Sequence, residues 1–171
     1  MAPATFTLEV RRIAHAAELF EVLRDPRLYE FLDEDPPTSV QALADKLARS
    51  ESRQSPDGKE HWLNWVVRTA SGAIAGYVQA TVEEDKTTNV AYVFSPAHQG
   101  QGIATAAVAR MLELVAADYQ PALFFIVADA GNVRSLKVAQ RLGFSPAPAE
   151  VAATRPTSPT DVVYWRSAPP T

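Results

Sequence analysis

Residues Asn89 to Thr105, NVAYVFSPAHQGQGIAT, constrain this chain more than any other stretch. Asn89–Phe94 is apolar and strand-like, and Ser95-Pro96 stops it. Gln99-Gly100-Gln101-Gly102 then forms a tight turn, and Ile103 opens a long alanine-rich segment with helical periodicity. Two glycines let backbone N–H groups approach a ligand with no Cβ in the way. The start of a helix adds unpaired N–H donors and the positive end of a dipole. A strand, a glycine loop and a helix in that order form an anion site, most naturally one for a phosphate.

Much of the remaining chemistry is excluded by composition. The chain has 171 residues, so one domain spanning 1–171 is expected, and 47% hydrophobic residues suffice for a full core. A net charge of -4 leaves no basic excess to neutralise nucleic-acid phosphates or an anionic membrane, although a local basic pocket stays open. With no cysteine there is no disulfide, thiolate metal site or cysteine nucleophile. His15, His61 and His98 share no metal-ligand spacing, so no metal is expected. No N-terminal run combines a charged start with a long apolar stretch and no segment approaches 18 apolar residues, so neither a secretory leader nor a membrane span is expected. The expectation is a soluble cytoplasmic protein, monomer or homodimer, with neither nucleic acid nor membrane as partner.

In chain order, Phe6, Leu8 and Val10 alternate with polar residues and predict a first strand over about residues 6–13. Ala16, Leu19, Phe20 and Leu23 follow helical spacing until Asp25-Pro26 interrupts. Leu28, Tyr29, Phe31 and Leu32 form an apolar cluster ahead of the acidic run Asp33-Glu34-Asp35. Ser39 is a natural N-cap for a helix with Val40, Leu43, Ala44 and Leu47 on one face. His61–Thr69 and Ile74–Val82 read as strands on either side of a Ser71-Gly72 turn, and Glu84-Asp85-Lys86 turns the chain into Asn89–Phe94. Ile103–Tyr119 is a helix closed by Pro121, and Ala122–Ala128 is a strand buried on both faces. Asn132 caps a further helix that ends at Gly143. Phe144 begins a return, proline-rich loops flank Glu150–Ala153, and Asp161–Arg166 is the last strand. Met1–Thr5 and Ser167–Thr171 read as unstructured. Hairpins first and a strand–helix–strand crossover second predict a mixed-sheet α/β protein, not a doubly wound one.

Gln99-Gly100-Gln101-Gly102-Ile103-Ala104 matches the Q/R-x-x-G-x-G/A signature of the GCN5-related N-acetyltransferases, the GNAT superfamily. Asn132-Val133-Arg134-Ser135, followed by Arg141-Leu142-Gly143-Phe144, resembles the family's second motif, most closely in the branch of the ribosomal-protein alanine acetyltransferases. The resemblance covers roughly Ile74 to Phe144, while the first 60 residues match in element order only. It implies a GNAT fold (α/β, or α+β): a mixed, mostly antiparallel sheet of six to seven strands with about four helices. It also implies acetyl-CoA as co-substrate and transfer of the acetyl group to an amine, on a protein N-terminus or a small molecule.

The resemblance assigns roles residue by residue. Gln99 and Gly100, with the amides of Gln101, Gly102, Ile103, Ala104 and Thr105, would cradle the pyrophosphate. The backbone of Tyr92 and Phe94 would pair with the pantetheine arm. Asn132 would contact the same arm, or simply cap its helix. Ser135 would lie near the sulfur, where its hydroxyl could protonate the leaving thiolate. Arg134 and Lys137 are either phosphate contacts or solvated helix charges.

Relatives often carry a glutamate early in the strand before the loop, where this chain has Thr87-Thr88-Asn89-Val90. Glu83, Glu84, His61 and a water held by Asn89 are the alternatives, and none is assigned as the base. Without a cysteine no acyl-enzyme through sulfur forms, so direct attack in a ternary complex is expected. Tyr29, Glu34 and Trp65, with Phe31 and Trp62, are the acceptor-site candidates, set against a reading as loop acids and core aromatics. A non-catalytic CoA-binding module is the rival reading. A nucleotide-binding protein is weaker, because no Lys-Ser/Thr follows the glycines.

Overall fold

The computed structural model describes residues 5–155 and 157–168. The expected disorder at Met1–Ala4 and Pro169–Thr171 therefore lies outside the described residues. One seven-stranded sheet runs through the chain in the order β1-β2-β3-β4-β5-β7-β6. Its strands are β1 (Phe6–Val10), β2 (His61–Thr69), β3 (Ile74–Val82), β4 (Thr87–Phe94), β5 (Leu123–Asp129), β6 (Ser145–Pro146) and β7 (Asp161–Ser167). All neighbours are antiparallel except β4 and β5, which run parallel because α3 (Ile103–Tyr119) crosses over between them. The expected fold class is the one observed.

The two faces of the sheet carry different cores, as the alternation of each strand dictates. Leu63, Trp65 and Val67 of β2, Val78, Ala80 and Val82 of β3, and Val90 and Phe94 of β4 pack against Ala107, Val108, Met111 and Val115 of α3. On the other face, α1 (Ala16–Leu23) and α2 (Val40–Ser50) bury Leu19, Leu23, Leu43 and Leu47 against Val66 and Ile74. α2 begins as its sequence predicts, with Ser39 Oγ accepting from the Ala42 amide at 3.0 Å. α4 (Val133–Arg141) joins the α3 side through Ala139 and Leu136, and Gly143 follows it at φ 81 as the helix stop.

Several expectations are corrected. β1 stops at Val10 rather than about residue 13, because Arg12 and His15 bond each other and wind Ile13–His15 into a 3-10 turn. Pro26–Tyr29 is likewise a 3-10 turn, capped by Asp25 accepting from the Arg27 amide at 3.0 Å. Residues near Glu150 form a short helix, α5 (Ala149–Ala152), that the flanking prolines concealed. Ser167 is the last residue of β7, paired with Leu123, and not a loose end.

Gly76 of β3 sits where β3 and β4 approach most closely. A Cβ there would lie 2.0 Å from the Val93 carbonyl oxygen and 2.8 Å from Phe94 Cα, both backbone atoms. Gly76→Ala should therefore destabilise the protein by about 3 kcal/mol, read as a lower urea midpoint, since backbone cannot swing aside as a side chain does. A midpoint unchanged from wild type would show that β4 is free to shift.

Candidate active site

β4 is paired with β3 along most of its length, Gly76–Val82 against Thr88–Phe94. On its other edge it pairs with β5 only at Thr87, Thr88 and Asn89. Beyond that point β5 stays with β7 as far as Asp129, and the two halves of the sheet diverge. Among the described residues, the β5 edge of Val90–Phe94 has no strand partner. A cleft of about 330 Å³ occupies this gap, between β4, the loop after it, α4 and the segment joining α1 to α2.

The loop after β4 is held by its own side chains. Ser95 Oγ accepts from the Ala97 amide at 3.3 Å. Gln99 Nε2 donates to the Phe94 carbonyl at 3.0 Å, and Gln101 Nε2 donates to the Ala97 carbonyl at 3.0 Å. Arg134 of α4 donates to Gln99 Oε1, tying the loop to the facing helix. Gly100 and Gly102 both take φ 75, a left-handed conformation that favours glycine. The first amide of α3 to bond back is that of Ala106, to the Gly102 carbonyl at 3.1 Å. Among the described residues, the amides from Gly100 to Thr105 donate to no backbone carbonyl, so they are available to an anion. Gln99, Gly100 and Ala104 line the cleft directly, whereas the Ile103 side chain is buried in the core.

Across the cleft, Asn132 caps α4, its Oδ1 accepting from the Ser135 amide at 3.2 Å. The capping role expected of Asn132 is thus present, and Asn132 also lines the cleft. Ser135 faces Tyr92. The Tyr92 hydroxyl donates to the Ser135 carbonyl at 2.7 Å and accepts from Ser135 Oγ at 3.1 Å. Burial pushes the Tyr92 hydroxyl up to about 12, against the opposing pull of Ser135. Tyr92 therefore remains a protonated donor throughout the neutral range. The Tyr92 side chain is a functional candidate that sequence reasoning missed. The available signal was alternation: Tyr92 shares a face with Val90 and Phe94, the face on which α4 lies.

The sequence matches the acetyltransferase (GNAT) domain over residues 6–145. This chain belongs to the GNAT acetyltransferase family. Solved structures agree on the fold. A ribosomal L7/L12 alpha-N-protein acetyltransferase in complex with coenzyme A is 22% identical with a TM-score of 0.79, covering 95% of this chain and 94% of that one. The ribosomal-protein-S5-alanine acetyltransferase from Vibrio fischeri is 14% identical with a TM-score of 0.76, covering 98% and 96%. The spermidine N-acetyltransferase from Vibrio cholerae, in complex with CoA and spermine, is 16% identical with a TM-score of 0.73, covering 95% of each chain. No curated protein matches the sequence.

In this GNAT domain the residues expected at the acceptor side separate. Trp65 is a core side chain at 6% exposure, on the α3 face and outside the cleft, because β2 alternation points it away from α1 and α2. Glu34 pairs with Lys46 of α2 at 3.0 Å, and the Tyr29 hydroxyl donates to the Leu23 carbonyl at 2.8 Å; neither lines the cleft. Trp62 donates its indole N–H to Glu60 at 2.8 Å. Phe31 does line the cleft, together with Leu28 and Leu32 of the same apolar cluster and with Arg27 and Glu30, which the sequence did not single out.

The site of the missing glutamate is occupied by a closed polar cluster. The Asn89 carboxamide donates to Glu83 and accepts from Arg155 at 3.4 Å. Arg155 pairs with Glu83 at 3.0 Å and lies 4.3 Å over the Phe125 ring. Each end of the Asn89 carboxamide thus has one protein partner, with one donor and one acceptor position left over. His61, the first residue of β2, packs at a tilt on Tyr119, 4.9 Å between ring centroids. Among the described residues no group of three or more His, Asp or Glu is placed to hold a metal, and no helix is long and apolar enough to cross a membrane.

Proposed function

We propose that this protein transfers an acetyl group from acetyl-CoA to an amine by direct attack, as one acyltransferase unit in the cytoplasm. The observation that carries this reading is the free edge of β4, which lies between an anion-binding loop and the Ser135–Tyr92 pair. Acetyl-CoA is built in the same order: polyphosphate, an extended arm with two amides, and a thioester. The free amides of Gly100 to Thr105 would receive the pyrophosphate. The unpaired backbone of β4 around Tyr92 would bond the arm as a strand would, with Asn132 opposite. Lys137 and Arg141 line the cleft as well and suit the phosphates.

Chemistry then falls at the Ser135 end. An amine with its lone pair free attacks the thioester carbonyl carbon, the C–N bond forms, the nitrogen gives up a proton to solvent and the C–S bond breaks. Ser135 Oγ is the donor that returns a proton to sulfur, turning its hydrogen away from the Tyr92 hydroxyl to do so, and Tyr92 holds Ser135 in place through its own bond to the Ser135 carbonyl. The related structures include an alpha-N-protein acetyltransferase and a spermidine N-acetyltransferase, and an amine acceptor is proposed here on the same ground.

The test is release of free thiol from acetyl-CoA against a panel of amines, with product identity checked by mass. Turnover with an acetylated amine supports the transferase. Tight CoA binding with no turnover would favour a non-catalytic CoA-binding module, the alternative that the closed Glu83–Asn89–Arg155 cluster supports.

A further inference from the structure

Among the residues lining the cleft there are four cations, Arg27, Arg134, Lys137 and Arg141, and one carboxylate, Glu30. The carboxylate belongs to neither of the ion pairs nearby. Arg27 is bound by Asp25 through two nitrogens, at 2.6 Å in the shorter contact, and Arg134 is bound by Gln99. Glu34 and Lys46 satisfy each other outside the cleft. Among the described residues Glu30 is exposed and has no hydrogen-bond or ion-pair partner, although the other charged residues that line the cleft are all cations.

Its position is fixed from both sides. The preceding residue, Tyr29, is bonded to the end of α1 through its hydroxyl. The following residue, Phe31, lies across the cleft against the turn between β5 and α4. A Cβ on Gly131 would come within 3.1 Å of the Phe31 ring, at a glycine whose own φ does not demand one. Gly131 therefore serves close approach, and it seats Phe31 one residue from Asn132. That contact brings the Glu30 segment to the Asn132–Ser135 end of the cleft, where transfer occurs in the reading above.

From this we infer that Glu30 is the specificity-determining residue for the acceptor, and that the acceptor carries a positive charge beside the reacting amine. The inference rests on the N-acetyltransferase reading. The phosphates of acetyl-CoA match the cations of the cleft and offer nothing to a carboxylate. A second nitrogen that stays protonated while its neighbour reacts is the partner whose charge Glu30 complements. Diamines, and peptides with a basic residue next to a free N-terminus, have this chemistry.

The experiment compares matched acceptors with wild type and E30Q: a diaminoalkane against the aminoalcohol of equal length, and N-terminal peptides with a basic against a neutral following residue. Wild type is expected to favour the charged member of whichever pair it acetylates by about tenfold in kcat/KM, as for a charge-assisted contact. In E30Q that preference disappears through KM, with kcat and the KM for acetyl-CoA unchanged. E34Q, outside the cleft, keeps the preference. Equal preference in wild type and E30Q overturns the role of Glu30 and leaves the transferase intact, as does its loss in E34Q alone. Bound acetyl-CoA with no turnover on any amine defeats the transferase reading, and this inference with it.

Discussion

Replacing Gly102 with glutamate is expected to abolish acetyl-CoA binding, with affinity reduced about 100-fold or more in calorimetry, or about 3 kcal/mol. Crowding is not the cause, since nothing lies within 4 Å of a Cβ built at this position. Two other effects combine. Gly102 sits at φ 75, where an L side chain costs about 1 kcal/mol. A carboxylate at the N-terminus of α3 would also bind the free amides itself and repel the phosphates. Gly102→Ala separates the two, since it keeps the backbone strain without the charge and should weaken binding by about tenfold at most. Unchanged affinity in Gly102→Glu would show that the phosphates lie elsewhere.

Ser135→Ala is expected to lower kcat by about 100-fold with little change in the KM for acetyl-CoA, the mark of a group needed in the transition state and not for binding. Tyr92→Phe should lower kcat by less, and the double variant should resemble Ser135→Ala, because the two hydroxyls share one hydrogen bond. Additive losses would show that they act separately, and a normal rate in Ser135→Ala would remove it as the acid. The pH behaviour follows from the same burial. Tyr92 ionises near its ordinary value of 10.0 when unfolded and near 12 when folded. Stability tied to this group is therefore complete below pH 10 and is lost as pH rises toward 12. The pair should contribute no alkaline break to the rate profile at lower pH.

Local patterns in the sequence carried most of the fold. The strand–loop–helix around Gly102, the Ser39 and Asn132 caps and the stop at Gly143 each depend on residues within a few positions of one another. Where long-range contacts decide, the sequence was silent. β1 is shortened by His15, which also reaches Glu9 at 3.1 Å. Arg155 meets Glu83 and Asn89 across 72 and 66 positions of chain, so no spacing could reveal that Asn89 is engaged at both ends. Trp65 and Glu34 suited an acceptor site by residue type, but strand alternation buries the first and Lys46 neutralises the second. Glu30 drew no notice because its significance is positional: it depends on Phe31 resting beside Gly131.

A sheet that parts at its centre keeps an open strand edge inside the molecule. Edge strands generally resist pairing with foreign chains through charges, prolines or bulges on the strand itself. Ala91, Tyr92 and Val93 carry none of these, and protection falls to the walls of the cleft, with Gln99 sealing the last carbonyl at Phe94. In the proposed binding mode, ligand-free protein is the form most open to self-association, and acetyl-CoA, by completing the sheet, would stabilise the fold that binds it.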